Sequence, residues 1–145
     1  MIDTARVKLN LCALTIILTV LFNVPLVAAD SVSTKTYREL TEIQELMAGS
    51  EEKEPEINAA IDRLKILLAE VEEGSLDEAL TLQTLGYAVM SNENFADAIK
   101  YLKRSLDTEK LPQNVVYNVG YMVAQLHAAL GEFEDALTFA ETWFV

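Results

Sequence analysis

The chain has 145 residues, with 11 Lys and Arg against 23 Asp and Glu, a formal charge of −12 and a pI near 4.4. This length favours one domain with a core large enough to need neither metal nor disulfide. The charge excludes nucleic acid as a partner, because phosphates demand clustered cations, and it excludes an anionic membrane surface for the globular part. The abundant carboxylates read as solvated faces that keep the protein soluble.

The first thirty residues differ from the rest. Arg6 and Lys8 form a short basic region, and Leu11 to Val24 then run almost without polarity until Pro25. Val27-Ala28-Ala29 follow, with small residues ahead of a cut before Asp30. This is the grammar of a secretory signal peptide. As a helix the apolar run reaches about 21 Å, short of the ~30 Å hydrocarbon core, so cleavage of 1–29 is expected over an uncleaved anchor. Cys12, the only cysteine, lies in that segment. The remaining 30–145 is therefore expected to use neither disulfides nor thiol chemistry.

From Ser31 onward apolar residues recur at intervals of three and four, which predicts helices and no strands. Leu40, Ile43, Leu46 and Met47 line the first helix, which Gly49-Ser50 closes. Pro55 suits the first turn of the second, whose apolar face is Ile57, Ile61, Leu64, Leu67 and Leu68. Gly74-Ser75 separates the second from the third, and Asn92-Glu93-Asn94 turns the third into the fourth. Leu111-Pro112 ends the fourth, and Gly131-Glu132 turns the fifth into the sixth. The expectation is an all-α fold of six helices in three antiparallel hairpins.

The helices repeat. Ala60, Ala98 and Ala136 are separated by 38 positions, and so are Ile57, Phe95 and Phe133. Leu64, Leu102 and Ala140 form a third column, and Leu68, Leu106 and Phe144 a fourth. A small Ala lets two helix backbones approach, while a bulky residue three positions earlier fills the groove beside it. A lone hairpin leaves its apolar face uncovered, and stacked hairpins make that face continuous.

Leu85-Gly86-Tyr87-Ala88, followed by Phe95, Ala98, Leu102 and Pro112, resembles the tetratricopeptide repeat (TPR) family. Its pattern has a small residue mid-way along helix A, an aromatic and an Ala opening helix B, and a closing Pro; Leu82 stands in place of the usual Trp. Val123-Ala124, Gly131, Phe133, Ala136 and Trp143 match a third unit, and Ala48, Ile57, Ala60 and Leu64 a degenerate first one. The resemblance implies a TPR-like superhelix of units at approximately 36–72, 76–112 and 115–145, preceded by a signal-peptide helix. Leu80 to Tyr87, Leu111-Pro112-Gln113, Ala124-Gln125-Leu126 and Glu141-Thr142-Trp143-Phe144 are more narrowly similar to periplasmic TPR proteins associated with TonB systems. That likeness implies an exported protein–protein interaction scaffold in the periplasm of a Gram-negative bacterium. It would be an accessory of TonB-type energy transduction, with no enzymatic activity and no cofactor. The alternatives are an accessory factor in cell-envelope or pilus assembly, or a truncated remnant of a longer TPR protein.

Catalytic chemistry finds little support in the residues. His127 is the only histidine and reads as a packing residue, so no metal site and no His-dependent triad is expected. Glu51, Glu52, Glu54, Glu70, Glu72 and Glu73 read as solvated ends and turns, and the five glycines form no phosphate loop. Counting from the repeat, the groove-facing positions of the A helices are Leu80, Gln83, Tyr87, Met90 and Ser91 in the middle unit. In the last unit they are Asn118, Tyr121 and Gln125. Gln83, Tyr87, Met90, Asn118, Tyr121 and Gln125 are the candidate partner-binding residues, because Tyr and Gln combine contact area with a polar tip. Packing between repeats is the competing role for Tyr87 and Tyr121. Trp143, Phe144 and Val145 form an apolar edge suited to self-association, a further repeat or a partner.

Overall fold

The computed structural model describes residues 31–48 and 53–143. The expected signal peptide at 1–29 with Cys12, the Gly49-Ser50 turn with Glu51 and Glu52, and the Phe144-Val145 edge lie outside the described residues. So do the side chains of Glu54 and Trp143.

Six helices follow one another: α1 (Thr34–Ala48), α2 (Lys53–Glu70), α3 (Leu76–Ser91), α4 (Phe95–Asp107), α5 (Gln113–Ala129) and α6 (Phe133–Trp143). There is no strand among the described residues. No described helix is long and apolar enough to cross a membrane. Each helix packs against the next in chain order, and α1 also touches α3.

Local chemistry sets the boundaries. Ser75 caps α3 by accepting the Glu78 N–H at 3.0 Å, while Glu78 reaches back to accept the Gly74 N–H at 2.7 Å. One unpaired amide of the first turn and the amide just ahead of the cap are met by one reciprocal pair of side chains. Asn94 caps α4 by accepting the Asp97 N–H at 3.2 Å. At the α5–α6 turn Gly131 has φ +80°, a left-handed conformation that costs a residue without Cβ little. There the Glu132 N–H donates to the His127 carbonyl at 2.9 Å, closing α5 in a Schellman-like turn. Pro112, expected to end the fourth helix, instead stands at the N-cap of α5, and α4 stops at Asp107.

The core follows the repeat columns. Ala60 and Ala98 are fully buried, as are Leu64 and Leu102, and Ile57 is buried too. Gly86 gives the closest approach: a Cβ there would lie 2.6 Å from Leu102 Cδ2 and 3.4 Å from the Ala98 carbonyl oxygen. The backbone of α3 therefore sits directly on the small-residue notch of α4. Ser105 fastens the same interface by donating to the Ala79 carbonyl at 2.7 Å. In the last hairpin the columns open: Ala136 and Ala140 are half-buried, and Phe133 is 70% exposed. A further column, Ile61, Ile99 and Leu137, shows the same change, buried twice and then 61% exposed. The reason is topological. α2 lies between α1 and α3, and α4 between α3 and α5, whereas α6 packs chiefly against α5 and meets α4 where Lys103 Nζ lies 5.7 Å from the centre of the Phe139 ring.

Polar side chains tie the first hairpin to the second. Asp77 accepts the Ser33 N–H and the Thr36 hydroxyl, both at 2.9 Å, so the first turn of α3 holds the start of α1. Within the first hairpin, Arg63 on α2 bridges Glu39 and Glu42 on α1 at 2.8 and 2.9 Å.

Candidate functional site

Gln83, Tyr87 and Met90 fall at intervals of four and three, one face of α3, and Asn118, Tyr121 and Gln125 form the equivalent stripe on α5. α4 packs against both helices. The structure treats the two stripes differently.

On α3 the expected open surface is absent. Every residue from Glu78 to Met90 is buried, including Leu80, Gln83 at 1% exposure, Tyr87 at 7% and Met90. Gln83, Tyr87 and Met90 are thus buried on α3, where a groove-facing stripe was expected, and Tyr87 takes the packing position that was its competing role. The physical reason lies in composition: α3 is apolar almost all round, and such a helix has no face to give to water. The buried threonines Thr81 and Thr84 satisfy themselves by donating to carbonyls one turn back, at 2.7 and 2.9 Å. Gln83 does not. Neither its amide nitrogen nor its amide oxygen has a hydrogen-bond partner. Tyr87 lies one turn on, and burial pushes its phenol above the ordinary value while the nearby Gln83 amide pulls it part of the way back. The two groups sense one another without reaching hydrogen-bond geometry. Ser91, at the end of the stripe, donates to the Tyr87 carbonyl at 3.1 Å.

On α5 the stripe is accessible. Asn118 is exposed, Tyr121 is 55% exposed and Gln125 is half-buried. Tyr117 and Tyr121 stand one turn apart and both present their rings outward. This face combines two aromatic rings with two amides, chemistry that can grip an apolar side chain and hydrogen-bond a peptide group at the same time.

His127 has a more definite environment than packing alone predicts. Its ring is mostly buried beside Phe139, with centroids 6.5 Å apart, and its Nδ1 lies 2.7 Å from Glu132 Oε2. Asp135 completes a set of three donor atoms within 4.8 Å of one another. A divalent cation could use such donors, but binding would have to break the His127–Glu132 contact that already closes the turn. The spacing of His127, Glu132 and Asp135 across a tight helix–helix turn is the sequence signal that would have found this cluster.

Phe133, which the sequence analysis set in a packing column, is exposed, and so is Leu137 one turn on, so the two form an outward apolar stripe on α6. Leu130, at the end of α5, is exposed as well.

Comparison with known proteins gives no matching family model, no similar characterised protein and no similar solved structure.

Proposed function

We propose that this chain is an exported interaction scaffold built on tetratricopeptide-type hairpins and acting without catalysis. We place it in the periplasm of a Gram-negative bacterium as an accessory component of a TonB-type energy-transduction system. One observation carries the scaffold reading: the columns at a 38-residue interval occupy matched places in α2 and α4, with Ala60 and Ala98 equally buried and Leu64 and Leu102 likewise. Matched packing is what stacked repeats need and what a one-off helical enzyme does not. The likeness of Leu80 to Tyr87 and of Glu141 to Phe144 to periplasmic TPR proteins supports the narrower assignment.

In this reading the working face is on α5. Asn118, Tyr121 and Gln125 meet a segment of a partner protein, while α4 and α6 hold α5 in place from either side. A face carried on a packed helix loses little conformational freedom when it binds. Gln83, Tyr87 and Met90 contribute by packing behind the repeat array.

The test is site-specific photocrosslinking in cells. A photoreactive residue at Asn118 or Tyr121 is expected to capture a component of the TonB-type inner-membrane complex, identified by mass spectrometry. The same residue at the exposed Lys65 of α2 is expected to capture none. Equal adducts at all three positions, or none with envelope proteins, would remove the proposal.

A further inference from the structure

The outward stripe of α6 is an exposed apolar surface separate from the α5 face. In α2 and α4 the columns that correspond to Phe133 and Leu137 are occupied by Ile57 and Ile61, and by Phe95 and Ile99. All of these are buried or half-buried, and each of the two helices has the first helix of the next hairpin lying against it. On α6 the same positions are 70% and 61% exposed. The surface that twice receives a helix inside the molecule is thus presented a third time to solvent.

Its charge restricts what can fill it. α6 carries Glu134 and Asp135 in its first turn and Glu141 near its end, with no Lys or Arg. Leu137 has Glu134 one turn before it and Glu141 one turn after it, so the apolar stripe is bracketed by carboxylates. A second copy of this chain meets those carboxylates with its own, since α6 against α6 brings acid to acid in a molecule of formal charge −12. The α1 edge of another copy offers Lys35 and Arg38, but Lys35 is held by Glu70 at 2.7 Å and Arg38 stands 4.0 Å from Glu42. Neither α6 nor α1 of a second copy supplies what the α6 stripe asks for.

We infer that α6 docks an amphipathic helix of another protein, one whose apolar stripe packs on Phe133 and Leu137 and whose flanks carry Lys or Arg for Glu134 and Glu141. Those two carboxylates lie two turns apart along α6, about 10 Å, so the matching cations sit roughly seven residues apart on the incoming helix.

The experiment uses two synthetic peptides of about 15 residues, long enough for four helical turns. They share one leucine stripe; one has lysines at the flanking positions and the other glutamates. Each is titrated into the purified protein, followed by peptide anisotropy and by the fluorescence of Trp143, the single tryptophan, at the end of α6. The lysine peptide is expected to bind at least tenfold more tightly than the glutamate peptide, with affinity falling as salt rises. Phe133→Ser combined with Leu137→Ser is expected to abolish that binding. Both side chains are exposed, so circular dichroism is expected to show the fold retained. Binding that survives the double substitution is mere charge attraction and overturns the inference, as does equal binding of the two peptides or binding of neither. A dimer in sedimentation experiments that dissociates on Phe133→Ser overturns it in favour of a second copy. Asn118→Ala with Tyr121→Ala is expected to leave peptide binding unchanged, so the fates of the α5 and α6 faces are read separately.

Discussion

Gly86 and Gln83 lie one turn apart on α3 and show opposite ways in which a single residue is constrained. At Gly86 the constraint is space. Gly86→Ala brings the benefit of a better helix former, about 1 kcal/mol, but places a methyl group 2.6 Å from the fully buried Leu102. Overpacking of that kind costs about 1–3 kcal/mol, so the substitution is expected to lower the urea midpoint. In a Leu102→Ala background the clash disappears and Gly86→Ala is expected to become neutral or stabilising. A loss of the same size in both backgrounds would refute the contact. At Gln83 the constraint is solvation. An amide buried with neither atom paired carries an uncompensated desolvation cost of about 1–3 kcal/mol. Gln83→Leu, close in volume, is expected to raise stability by about 1 kcal/mol in the same measurement; a decrease would mean that the amide is satisfied. The Gly86 contact was half legible in the sequence, because a small residue opposite the Ala98 column signals close backbones. The burial of Gln83 was not, because glutamine belongs to the residue types normally found at the surface and nothing adjacent in the chain marks the exception.

At the scale of the helices, legibility divides by sequence distance. The turns at Gly74-Ser75, Asn92 to Asn94 and Gly131-Glu132 could be placed because caps are local: the side chain and the amide it meets are within a few residues. The bonds that lash one helix to another could not. Asp77 meets Ser33 and Thr36 across more than forty positions, and no pattern in the chain announces that pairing. The consequence is testable at α1. Asp77→Ala removes the acceptor for both the Ser33 N–H and the Thr36 hydroxyl, leaving the buried Thr36 donor without it. Amides in the first turns of α1 are expected to exchange with deuterium faster by about tenfold, the equivalent of about 1.4 kcal/mol, while those of α4 stay unchanged. A uniform acceleration across both helices would show that Asp77 supports the whole fold and not the seat of α1.

Across the whole molecule the repeat columns fix a direction. α2 and α4, each set between two helices, bury their columns, and α6, packed chiefly against α5, exposes them. In an array held by nearest-neighbour contacts the end unit opens first. Native-state exchange is expected to be slowest in α3 and fastest in α6, and α6 protection equal to that of α3 would contradict this order. The repeat interval was readable from the chain because most columns keep their size class, the Ala60, Ala98 and Ala136 column above all. The exposure of its last members was not, since the same residue types serve a covered and an uncovered position equally well. The enclosure of α3 reaches further, into how freely the protein can vary. α4 turns Ala98, Ile99, Leu102, Ser105 and Leu106 inward and leaves its other side to water, so a saturation scan of α4 should show tolerated and forbidden positions alternating with the helical pitch. α3 has no such quiet side from Glu78 to Met90, and its scan should read as an unbroken block of intolerance. Drift over evolutionary time would then leave the middle helix as the slowest-changing stretch of the chain.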